Sequence, residues 1–85
     1  MIKYTLLKEK ILNQLSPIQK NDFYLLEGKL IFKNKEKSLM VKEFLEKDYG
    51  DIMVLEADNH NHWKSKYETA LFFTDLPKGI QALKN

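Results

Sequence analysis

The chain has 85 residues, 44% of them hydrophobic and 31% charged, with no cysteine and a formal net charge of +2. This length fits one domain with a radius of gyration of about 12 Å; it buries only roughly 60–65% of its unfolded surface, so a partner chain is the expected source of any added stability. Without cysteine, disulfides, thiolate zinc sites, iron–sulfur clusters and thiol catalysis are excluded; no run approaches the roughly 18 apolar residues of a membrane span and none resembles a secretory leader, so a soluble cytoplasmic protein is expected.

In chain order, Tyr4, Leu7, Ile11 and Leu15 recur at spacings of three and four. This predicts an amphipathic helix from about Tyr4 to Leu15 with one apolar stripe. In Ser16-Pro17-Ile18-Gln19 a serine cap, a proline at the first helical position and a glutamine three residues on fit a capping box, opening a short turn that ends near Asn21-Asp22. A proline loop is the other reading. Phe23–Leu26 and Lys29–Phe32 flank Glu27-Gly28, and a two-residue hairpin turn places Leu25 opposite Leu30 and Phe23 opposite Phe32 on a wholly apolar face. The other face carries Tyr24, Leu26, Lys29 and Ile31. One longer bent strand is the rival.

Asn34 or Ser38 is placed to cap the next helix, in which Met40, Val41, Phe44 and Leu45 fall on one side and Glu43 and Lys47 form an i,i+4 pair outside. Gly50 terminates it. Ile52-Met53-Val54-Leu55 is a continuous apolar run closed by turn residues, which predicts a strand from about Asp51 to Ala57, buried on both faces at the centre of the sheet. Tyr67–Thr74 is rich in threonine and aromatic residues and reads as a strand pairing back onto the central one, although Trp63, Tyr67, Ala70 and Leu71 also fit a helical stripe ended by Pro77. Asp75-Leu76-Pro77 then turns the chain into a short helix over Pro77–Lys84. The expected fold is α+β, a single domain over residues 1–85 in the order α-β-β-α-β-β-α, with the last strand alternatively a helix. Its sheet has three to four mostly antiparallel strands with helices packed on it.

Charge is unevenly distributed along the chain. Residues 1–42 hold nine lysines against four acids, and residues 43–85 hold five against eight, which predicts one basic and one acidic patch. All basic residues are lysine. Base-specific reading of DNA leans on bidentate arginine forks, so their absence argues against sequence-specific DNA recognition.

Asp58-Asn59-His60-Asn61-His62-Trp63 is the stretch densest in functional side-chain types. Extended, it sets Asp58, His60 and His62 on one side of the chain, a ligand set short of a tetrahedral shell. A solvated loop is the simpler reading, and neither a metal nor a cofactor is assigned. Trp63, the lone tryptophan, either closes one end of the core or anchors a partner, since aromatic residues dominate interface energies. Lys33, Lys35 and Lys37 stand where a strand hands over to a helix N-terminus, an anion-attracting corner that lacks the glycines of a phosphate-wrapping loop. The serines lack a nucleophile-elbow pattern, and a chain of this size hardly forms a pocket for paired carboxylates.

No catalysis is expected. The residues point instead to a small non-catalytic protein-binding module of bacterial or phage type, such as an inhibitor, immunity factor, antitoxin or accessory regulator, with homo-oligomerisation open to it. Its expected contacts are His60, His62, Trp63, Lys64 and Tyr67. The alternative is a nucleic-acid-binding domain that uses Lys29, Lys33, Lys35, Lys37, Lys64 and Lys66, with Tyr24 or Trp63 as stacking platforms.

Overall fold

A computed structural model describes residues 4–26, 29–56 and 67–73. Helix α1 spans Tyr4–Gln14, strands β1 and β2 span Phe23–Leu26 and Lys29–Phe32, helix α2 spans Lys35–Tyr49, and strands β3 and β4 span Ile52–Glu56 and Thr69–Phe73. The fold is α+β: the described residues form two α-helices and a four-stranded antiparallel sheet, and within the stretch read as strand or helix Thr69–Phe73 is a strand. The expected helix over Pro77–Lys84 lies outside the described residues.

The hairpin register is the one the sequence predicts. Phe23 stands opposite Phe32 and Leu25 opposite Leu30, and the Phe23 and Phe32 rings stack with centroids 5.2 Å apart. Both faces of the hairpin are apolar, so this register is set by the two-residue connection between Leu26 and Lys29, which pair with each other.

The expected centre of the sheet is corrected. Strand order is β1-β2-β4-β3, so Ile52–Glu56 lies at an edge among the described strands and β4 lies inside. Both β2 and β3 run antiparallel to β4 and are therefore parallel to each other. Parallel strands need a long crossover, here the 15-residue α2. A helix with side chains is about 10–12 Å across, close to two strand spacings of about 4.8 Å each, and β4 fills the intervening slot. Burial follows this order: Leu30, Ile31 and Phe32 of β2 and Thr69, Ala70 and Leu71 of β4 are buried on both faces, whereas Met53 of β3 is 42% exposed.

The principal core lies between the helices and one sheet face. Leu7 and Ile11 of α1 and Val41 and Leu45 of α2 meet Leu30, Phe32, Leu71 and Ile52, with Ile18 and Phe73 closing the edges. Each such side chain contributes about 1.5–3 kcal/mol by leaving water. On the opposite sheet face Ile31 and Ala70 form a smaller cluster flanked by Tyr24, Leu26 and Leu55. This is the second hairpin face of the sequence reading, and its centre is fully buried.

Local signals set the helix ends. The Asn34 side chain accepts from the Lys37 N–H at 3.1 Å, so Asn34, not Ser38, caps α2. Ser38 is buried and donates to the Lys35 carbonyl at 2.6 Å. At the far end Gly50 takes φ 82°, ψ −159°, a region essentially closed to other residues, and donates its N–H to the Glu46 carbonyl. The short turn before β1 spans Lys20–Asp22, capped by Gln19, three residues beyond the predicted Ser16 cap. Ile18 enters the core and the chain is extended at Gln19, so the turn starts there, with the Gln19 N–H donating to Asp22 Oδ2 at 2.7 Å.

Candidate functional site

Folding brings part of the basic first half against the acidic second half. Among the described residues Lys10 pairs with Asp48, Lys35 with Glu56, Lys37 with Asp22 and Lys42 with Glu46. Three of these pairs join a lysine of the first half to an acid of the second. The predicted Glu43–Lys47 pair is replaced within α2 by Lys42–Glu46, at 3.0 Å.

The lysine corner is assembled, but together with carboxylates. Lys35 Nζ lies 2.6 Å from Glu56 Oε1 and Lys37 Nζ lies 3.0 Å from Asp22 Oδ2. The backbone hydrogen bond from Gln19 and the ammonium of Lys37 hold the Asp22 carboxyl below its ordinary pKa, and Lys35 does the same for Glu56. Both acids therefore remain charged and offset the cations. Lys33 is exposed at the same corner. Lys29 stands at the other end of β2, about 10 Å away at 3.3 Å per residue, and does not join it.

Tyr67 is 75% exposed, two residues before the start of β4. His60, His62, Trp63, Lys64 and Lys66, the remaining predicted contacts, lie outside the described residues, as does Asp58. Among the described residues no group of three His, Cys, Asp or Glu side chains could hold a metal ion, and no helix is long and apolar enough to cross a membrane.

A feature missed by the sequence reading lies on α2. Successive residues of an α-helix are rotated by about 100°, so Ser38, Val41, Leu45 and Tyr49 share one stripe and Glu36, Leu39, Met40, Glu43 and Lys47 share the opposite one. The first stripe is buried. The second faces solvent, with Leu39 39% and Met40 37% exposed. Met40 was expected on the core side, but Val41 and Leu45 fill that position. The available signal was an excess of apolar residues: Leu39, Met40, Val41, Phe44, Leu45 and Tyr49 are more than one buried stripe accommodates.

Beside this outer stripe, the end of α1 and the middle of α2 form an open groove of about 300 Å³ lined by Leu15, Met40, Glu43, Phe44 and Lys47. Leu15 reaches it because α1 ends one residue earlier, with the Leu15 N–H still bonded to the Ile11 carbonyl at 2.9 Å. The groove has an apolar floor and one charge of each sign on its rim.

Compared with known proteins, the chain matches no family model, no curated protein and no solved structure.

Proposed function

We propose that the protein is a non-catalytic protein-binding module, of the inhibitor or accessory-regulator kind, whose contact surface is the outer stripe of α2 with its adjoining groove. The observation that carries this reading is the exposure of Leu39 and Met40 beside the groove formed by Leu15 and Phe44. Apolar side chains clustered inside a charged rim are the usual composition of a protein interface centre. Nucleic-acid binding is less well supported, because Lys35 and Lys37 are already engaged by Glu56 and Asp22.

The test is capture on immobilised protein from a lysate of the native host, with and without nuclease. Retention of a defined protein that survives nuclease and is lost with Met40→Glu supports the reading. Retention that disappears with nuclease, together with a salt-sensitive shift of oligonucleotides, would replace it with the nucleic-acid alternative.

A further inference from the structure

The outer stripe of α2 is complementary to itself. From the N-terminal to the C-terminal end it presents Glu36, Leu39 and Met40, Glu43, then Lys47, all within an arc of about 100°. Glu36, Glu43 and Lys47 are exposed and occur in none of the described ion pairs. One end of the stripe is therefore anionic and the other cationic, with Leu39, Met40 and Glu43 between them. Turned end over end, it meets its own counterpart.

We infer that the partner on this surface is a second copy of the chain, with two α2 helices packed antiparallel about a two-fold axis, Glu36 of each facing Lys47 of the other. This inference rests on the protein-binding reading above. In the register that pairs Glu36 with the partner's Lys47, Met40 stands level with the partner's Glu43. A two-fold axis perpendicular to the helix pair brings like sides of the two helices together. Met40 and the groove lie on the same side of α2, so each Met40 is carried over the other copy's groove, between Leu15 and Phe44. Methionine is suited to this because its unbranched, polarisable side chain fills irregular gaps.

Charge selects the register. A slip of one helical turn in one direction sets Glu36 against the partner's Glu43. A slip in the other brings the two Glu43 side chains together. Both place like charges opposite one another, so the Glu36–Lys47 alignment is the one the stripe favours. A two-fold contact of this kind is closed and cannot propagate into fibres.

Sedimentation velocity on the purified full chain, from micromolar to millimolar concentration, tests the inference. The expected result is a concentration-dependent species of twice the chain mass of 10.1 kDa. Met40→Glu should abolish it, because a carboxylate then lies over the apolar groove and against the partner's Glu43. Glu36→Lys and Lys47→Glu should each weaken association by roughly tenfold, since each places like charges together twice in the dimer. The double variant, Glu36→Lys with Lys47→Glu, should restore it. A wild-type chain that remains monomeric throughout overturns the inference, as does a dimer that the double variant fails to rescue. In either case Met40→Glu in the capture experiment still decides separately whether the surface binds a different protein. Circular dichroism of each variant confirms that the fold is intact.

Discussion

The two sides of α2 carry almost the same number of apolar residues and do opposite things with them. On the inner side Val41, Leu45 and Tyr49 are buried against the sheet, where each lost contact leaves a void that close-packed neighbours cannot fill. On the outer side Leu39 and Met40 remain more than a third exposed, where they add little to stability and are free for contact. Apolar content alone does not distinguish the two stripes. Angular position on the helix does.

The sharpest way to break this contrast is to truncate the inner stripe. Leu45→Ala removes a fully buried side chain and should lower unfolding free energy by about 3 kcal/mol in urea titration, while the outer surface retains its binding. An effect below about 1 kcal/mol would mean that the inner stripe is not a packed core.

Tyr49→Phe should have a smaller effect of distinct character. The Tyr49 hydroxyl is buried without a hydrogen-bond partner among the described residues, its ring meets Phe73 edge-on at 5.6 Å, and Lys10 lies 5.4 Å above its centroid. Because the ring contacts survive and no hydrogen bond is lost, the change at neutral pH should stay within about 1 kcal/mol. Burial raises the Tyr49 pKa above its ordinary 10.0. The folded state thus keeps a proton that the unfolded state releases, so this residue's contribution to stability is present below pH 10.0 and is lost as pH rises further. Tyr49→Phe should accordingly flatten the alkaline limb of a pH–stability curve, and an unchanged limb would contradict the burial of the hydroxyl.

The smallest effect on stability belongs to the outer stripe. Met40→Glu exchanges two good helix formers at an exposed position and should change unfolding free energy by no more than about 0.5 kcal/mol. Thermal melts below the association range would show this, and a larger loss would place Met40 in the core after all.

Much of the fold was legible because its signals are local. The Phe23–Phe32 and Leu25–Leu30 register follows from the two-residue connection between the strands, α1 from the Leu7–Ile11–Leu15 spacing, and the ends of α2 from Asn34 and Gly50. Strand order was not legible. Ile52–Leu55 and Ala70–Phe73 are equally apolar runs, and what makes one the edge and the other the interior is the crossover through α2, a property of the whole chain. The charge pattern misled for the same reason: Lys35 meets Glu56 and Lys10 meets Asp48 only after folding brings distant segments together. Of the predicted contacts, Lys35 and Lys37 stand at the corner already paired with Glu56 and Asp22, and Lys33 is exposed beside them. The outer stripe was present in the sequence as the Leu39-Met40 doublet, hidden because a single amphipathic stripe appeared to account for the helix.

The slot that β4 occupies has a consequence for how the protein is made. Strand β4 is the last strand described, yet it pairs with both β2 and β3, which do not pair with each other. The hairpin, α2 and β3 therefore all precede in the chain the strand that joins them. During synthesis the facing edges of β2 and β3, including Ile31 and Val54, have no pairing strand from this sheet. Closing it requires contacts across some forty residues between Leu30 and Leu71, a non-local pairing that slows folding. Until β4 is in place the facing edges of β2 and β3 stay unpaired, and unpaired strand edges are what makes an incompletely folded chain prone to aggregate.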